Sequence, residues 1–367
     1  MQVLYKILAR LGFGMVLFLA LNWLYGQYLF KADIEKYAPI RPKIISSFAE
    51  GDIVYFGESS NTSFNPWTDS FNNSIGDFMQ LALPNKDIRQ VSHESFHLGL
   101  FKDMLQLRNE ARQNQTLVFT LNMRTFSPAA IYSATEARNQ QEALFYSDRW
   151  PLLTRIFLSF HYYDNRSENE RNRLKQQYWR THNPNVLETK EALNKKLEKA
   201  PHKIKAMAHE FVNEFMFVID KDNPRLKDLQ KIIAYGKQNK VRIVFHILPE
   251  SRGYAESLVG SELIEIMDNN VQFLEQFLQK ENVEYINNYK QSIYLDYTDQ
   301  YYPTEHVNWQ TRSSIAFSIA KYLDKTADKN RLKIQPNNFP NPAVKHPLAD
   351  TLVRQYGLGP KLQTASY

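Results

Sequence analysis

The feature that most restricts this chain lies near its start. Residues Leu11 to Phe30, LGFGMVLFLALNWLYGQYLF, carry no charge and are bounded by Arg10 and Lys31. About twenty helical residues cross a hydrocarbon core of roughly 30 Å. Trp23, Tyr25 and Tyr28 lie toward one end, where aromatic side chains suit a membrane–water interface. A cleaved signal peptide would have a shorter apolar stretch followed by a small-x-small site, and Asn22 to Lys31 offers no good site of that form. The expectation is an uncleaved transmembrane anchor over residues 1–30. Lys6 and Arg10 on one flank face Lys31, Lys36, Arg41 and Lys43 on the other, so charge does not set the orientation.

Beyond a polar stem at 31–50, short apolar β-rich runs alternate with helical patterns. The runs are Asp52–Phe56, Ile88–Ser92, Thr116–Leu121, Val241–Leu248 and Val283–Ile286. Between them, Phe96–Gln113 places Phe101, Met104, Leu105 and Leu107 at helical spacing. Asn223-Pro224 is an N-cap and first-turn pair opening a helix with Leu226, Leu229, Ile232 and Ile233 on one face. Glu256–Gln279 and Trp309–Leu323 read as two more helices. Such alternation predicts a mainly parallel five-stranded sheet covered by helices on both faces, a three-layer α/β/α domain over 51–325. Residues of about 125–222 interrupt the alternation. They read as a helical insertion, either a lid over the site or a scaffold packed on the sheet. Residues 326–367 are proline-rich and polar and read as an irregular tail.

Composition removes several function classes. The chain has no cysteine, which excludes thiol nucleophiles, thiolate metal sites and disulfides. Its 45 basic residues against 39 acidic give only a mild excess, with no basic block of the kind that binds nucleic acid. No glycine-rich phosphate loop follows any predicted strand, which argues against a nucleotide-handling enzyme.

Ligands of parallel sheets bind at the carboxyl ends of the strands. Three motifs fall there. Gly57-Glu58-Ser59-Ser60-Asn61 follows the first strand, where a serine is exposed and the next N–H groups can hold an oxyanion. Its alternative role is a polar turn with a helix cap. Asn122 follows the third strand and can aim an amide at the same crevice or cap a turn. Arg124 beside it can meet an anionic substrate or a nearby carboxylate. Pro303-Thr304-Glu305-His306-Val307-Asn308 precedes the last helix, and a histidine there can act as general base for a serine.

The order serine, asparagine, histidine at one sheet edge resembles the SGNH (GDSL-like) hydrolase superfamily. Gly57-Glu58-Ser59 is similar to the family's Gly-Asp-Ser, Asn122 to its asparagine, and 303–308 to its Asp-x-x-His-Leu-Asn segment. The resemblance implies an esterase or O-acyltransferase that uses Ser59 as nucleophile and His306 as base, with no metal or organic cofactor. Asn122 and Ser59 N–H would stabilise the oxyanion. Ser95 or Gly99 would stand for the family's glycine after the second strand. The family's acid position is Pro303 here, so Glu305, with Asp299 second, is expected to serve His306. Membrane-tethered relatives in bacterial envelopes modify glycans outside the cytoplasm, often beside a membrane-bound O-acyltransferase. That layout is expected here, with the N-terminus inside. The competing expectation is an inactive scaffold of the same fold that binds an envelope glycan or a protein partner.

Overall fold

A computed structural model describes residues 2–62, 69, 71–108, 112–147, 149–164, 166–182, 185–291, 297–298 and 303–332. The apolar run forms one helix, α1 (Gln2–Tyr28), long and apolar enough to cross a membrane, with almost every side chain exposed to its surroundings. The stretch read as a stem is helical and packed: α2 (Phe30–Tyr37) and α3 (Arg41–Glu50) follow. Ile44 and Phe48, one turn apart on α3, are buried in the core, which gives that helix a reason to dock.

Five strands form one sheet: β1 (Ile53–Gly57), β2 (Ile88–Ser92), β3 (Thr116–Leu121), β4 (Arg242–Ile247) and β5 (Glu284–Asn287). All are parallel, in the order β2-β1-β3-β4-β5. After β1 come α4 (Ser59–Thr62) and α5 (Ile75–Ala82), and after β2 comes α6 (Leu98–Met104). Between β3 and β4 the chain runs through α7 (Pro128–Ile131), α8 (Ala134–Ala143), α9 (Pro151–Ser159), α10 (Glu168–His182), α11 (Val186–Lys196), α12 (His202–Phe215) and α13 (Pro224–Asn239). The remaining helices are α14 (Arg252–Leu258), α15 (Ser261–Lys280) and α16 (Trp309–Leu323).

The period-two alternation of a strand explains the two cores. Val54 and Phe56 of β1, with Phe119 and Phe245, face α3, α6, α13 and α15. Ile53 and Tyr55, with Val118 and Val244, face α5 and α16. Every residue of β1 and β3 is buried, as a strand covered on both sides requires. The predicted strands match to within a residue or two. The long helix expected over Glu256–Gln279 is instead two, because Gly260 between them holds φ +137°, a conformation that ends a helix. The helix expected over Phe96–Gln113 is shorter: α6 stops at Met104 and a 3₁₀ turn follows over Leu105–Leu107. Most of the tail lies outside the described residues; its described start includes a 3₁₀ turn at Lys329–Leu332.

The loop before α16 is pinned by one buried ion pair. Arg312 Nη1 lies 2.7 Å from Asp69 Oδ2 and donates to Val307 O at 2.7 Å. Its Nε and Nη2 donate to Asn73 O and Phe71 O. Asp69 Oδ1 accepts from Trp309 N at 3.1 Å. Removing one partner of such a pair strands the other charge in the core. Arg312→Ala is therefore expected to lower unfolding stability by about 3–5 kcal/mol, measured by urea denaturation. A loss below about 1 kcal/mol would mean that the pair is exposed and weak.

Candidate active site

The carboxyl ends of β1, β3 and β4 meet at one edge. β1 delivers Glu58 and Ser59, with Ser59 opening α4. Gly57 allows this close packing: a Cβ there would come within 2.8 Å of Ser92 Oγ and 2.9 Å of the Asn61 side chain. Asn61 donates to Gln90 Oε1 and Ser92 Oγ and accepts from Gly76 N, which fixes the loop between β2 and α5.

Ser59 and His306, 247 residues apart in sequence, are brought together: Ser59 Oγ lies 2.8 Å from His306 Nε2. The loop carrying His306 is held from several directions. His306 O accepts from Thr298 N, His306 N donates to Thr304 Oγ1, and Tyr297 bridges to Val307.

Glu305 is wholly buried and lies 3.5 Å from His306 Nε2. It therefore approaches the nitrogen that faces Ser59. An acid that sets a histidine's tautomer bonds to Nδ1, so this geometry differs from the expected triad arrangement. Glu305 instead binds Arg124, whose Nη2 sits 2.8 and 2.7 Å from the two carboxylate oxygens. Burial pushes Glu305 toward its neutral form, but the Arg124 charge, followed by His306, outweighs burial and holds its pKa below the ordinary value. Arg124 thus meets a carboxylate of its own chain. Asp299, the second candidate acid, lies outside the described residues.

Asn122 is buried and caps the 3₁₀ turn after β3, accepting from Arg124 N at 2.9 Å through Oδ1. Its capping role and its place in the pocket coexist, because the cap uses the oxygen, while the amide NH₂ meets Glu58 with one of its two donors. Ser95, in the loop after β2, lies at φ +63°, a left-handed conformation that favours glycine. Its backbone thus adopts a glycine-like shape without a glycine. Gly99 sits inside α6, where a Cβ would come within 2.5 Å of Arg225 Nη1. It makes room for that arginine and lines a neighbouring cavity, while Ser95 lines the one at Ser59.

The cavity at Ser59 has a volume of about 290 Å³. Glu58, Ser59, Asn122 and Arg124 line its sheet side. Ala130 of α7, Asn139 of α8 and Glu214 of α12 line the other. The segment between β3 and β4 therefore supplies a wall of the cavity as well as packing on the sheet.

Several charged groups here were not singled out from sequence. Glu250, just after β4, accepts from Met123 N. Glu58, Glu214, Glu250 and Glu305 all feel the single guanidinium of Arg124. Burial, then the Glu305 charge, pushes both Glu58 and Glu250 well above the ordinary carboxylate range. Further out, buried His97 lies 2.8 Å from Glu136, which also pairs with Arg225. No group of three or more His, Asp or Glu among the described residues is arranged to hold a metal ion.

No family model and no curated protein matches the chain. Among solved structures, a Streptococcus pneumonia protein named provisionally as a platelet activating factor aligns over 85% of this chain and 99% of its own. Identity is 13% and the TM-score 0.38, so this alignment carries no functional argument.

The carboxylate cluster gives a signed pH dependence. Folded Glu58 keeps its proton well above its ordinary value of 4.5, at which the unfolded chain releases it. Between those two pH values the folded state binds more protons, so this group makes stability fall as pH rises, with a slope of up to about 1.4 kcal/mol per pH unit. Glu58→Gln mimics the protonated acid and is expected to flatten that decline above pH 4.5. Denaturation midpoints across pH 5–9 check this; an unchanged slope would mean that Glu58 is ionised in the fold.

Proposed function

We propose that this chain is a membrane-anchored serine esterase or O-acyltransferase of the SGNH type, acting through Ser59 and His306. The observation that carries the reading is the 2.8 Å contact between Ser59 Oγ and His306 Nε2 at the sheet edge. A nucleophile and its general base work within hydrogen-bond reach, about 2.6–3.2 Å.

In this reading His306 Nε2 takes the proton of Ser59 Oγ, which attacks the carbonyl carbon of an ester. The Ser59 N–H and the Asn122 amide bear the resulting oxyanion, and Ser95 N–H is a third candidate donor. Collapse breaks the ester C–O bond, and the leaving alkoxide takes its proton from His306. Water (esterase) or a hydroxyl of an acceptor (transferase), deprotonated by His306, then releases the acyl group from Ser59. Glu305, held ionised by Arg124, lies 3.5 Å from His306 Nε2 and ties the loop that carries His306 to the end of β3. Arg124 is thus a positioning residue and not an anion receptor for substrate.

The substrate class follows from less. One apolar N-terminal helix is consistent with membrane association. With the family resemblance, it supports acyl esters of cell-envelope glycans, handled outside the cytoplasm and beside a membrane-bound O-acyltransferase. That step is analogy at the level of the fold. The hydroxyls of Ser133 and Thr135 in the cavity wall suit a polar, hydroxyl-rich acceptor.

Ser59→Ala is expected to abolish hydrolysis of a chromogenic acetyl ester; undiminished turnover in a clean preparation would place the nucleophile elsewhere. Asn122→Asp keeps an oxygen to cap Arg124 N but removes the amide donor. It is expected to lower kcat by about 10²–10³-fold with KM little changed. An unchanged kcat would remove Asn122 from the oxyanion site.

A further inference from the structure

Helix α9 is fastened to the apolar helix α1 at a level inside its uncharged run. Leu152 N donates to Asn22 Oδ1 at 3.0 Å. Trp150 stacks on Phe18 with ring centroids 5.4 Å apart. A Cβ on Gly26 would lie 3.5 Å from Pro151 Cγ, ordinary contact distance. Arg155 pairs with Asp33, which also receives the hydroxyl of Tyr25, so the first turns of α9 are tied to the α1–α2 junction. With a rise of 1.5 Å per residue, Phe18 to Gly26 lies roughly 6–18 Å before Phe30, the end of the uncharged run.

The residues flanking α9 are unusual for a surface in contact with water, although within the helix itself the exposed residues are Arg155 and Ser159. Outside α1, nine large apolar side chains among the described residues are exposed, and three of them, Trp150, Phe160 and Tyr162, fall within residues 150–162. Phe160 and Tyr162 are 79% and 72% exposed, more than any other of the nine. Tyr162 stacks on Phe157, and the guanidinium of Arg149 lies 5.3 Å from the Phe157 ring, a polar group at the edge of an apolar surface. Trp and Tyr rings with a nearby arginine are the composition of a helix lying in a headgroup region, where the apolar face enters by about 5–10 Å.

We propose that α9, with Trp150 and Phe160 at its two ends, lies in the surface of the bilayer that α1 crosses. The occupant of this apolar face is lipid, because the face is continuous with the helix that would itself be surrounded by lipid. The inference rests on the membrane reading of α1. Its consequence is positional. α8 lines the cavity at Ser59 and precedes α9 in the chain, with a 3₁₀ turn at Leu144–Tyr146 after it, so a membrane-bound α9 would restrict the height of that wall above the bilayer.

The absence of cysteine from the chain makes the test direct. Single-cysteine variants of the full chain, Trp150→Cys, Phe160→Cys, Phe13→Cys and Gln238→Cys, carry a nitroxide in lipid nanodiscs. Collision with oxygen, which concentrates in lipid, is compared with collision with a water-soluble nickel chelate. Phe13 reports on α1 and Gln238 on an exposed aqueous surface. The expected result is an oxygen-to-nickel ratio at 150 and 160 several-fold above that at 238. If 13 reads lipid but either 150 or 160 matches 238, α9 does not lie in the bilayer, although α1 still spans it. Low collision with both reagents at 150 and 160 would mean that protein covers the face, which also overturns the proposal. A water-like reading at 13 would remove the anchor itself, and the inference with it.

Discussion

The buried pair of Arg124 and Glu305 organises this molecule. Arg124 follows β3, Glu305 sits in the loop that carries His306, and the contact closes a separation of 181 residues. Around the one guanidinium stand the carboxyl groups of Glu58, Glu214, Glu250 and Glu305, and they cannot all be ionised in a site with so little water. Arg124 decides which one is. Glu305, touching it, stays charged, while Glu58 and Glu250 are driven toward the neutral form. The result is an Arg124–Glu305 ion pair beside His306, in a cavity that also holds the Glu136–Arg225 pair.

A second buried pair, Arg312 with Asp69, does the mechanical part. It binds the start of α16 to the segment before α5, so the His306 loop is clamped where it enters α16. Ser59 is fixed separately, through Gly57 and the Asn61 hydrogen bonds to β2 and α5. The 2.8 Å contact between Ser59 and His306 is therefore the meeting of two independently anchored loops. The geometry does not depend on a bound substrate to assemble it.

Much of this was legible in the sequence, for a local reason. The strands announce themselves as short β-branched and aromatic runs because a strand buried on both faces must be apolar throughout. The placement of Ser59, Asn122 and His306 follows from strand order, since parallel strands put all their carboxyl ends on one side. What was not legible depends on side-chain direction and distant partners. Glu305 adjoins His306 in sequence, but only the fold sends its carboxylate to Arg124 and to the Ser59-facing nitrogen. Ser95 carries no sign of its left-handed backbone. Glu250, and the buried set of His97, Glu136 and Arg225, look like ordinary polar residues until four separate segments converge. The break at Gly260 was hidden because the apolar spacing continues across it.

A serine nucleophile activated by a histidine can be captured chemically at Ser59. The most direct measurement is labelling of the intact protein with a fluorophosphonate, followed by peptide mass mapping. A single adduct on Ser59 is expected, lost in a folded His306→Ala variant. A folded protein that takes no label at Ser59, or takes it equally without His306, would contradict it.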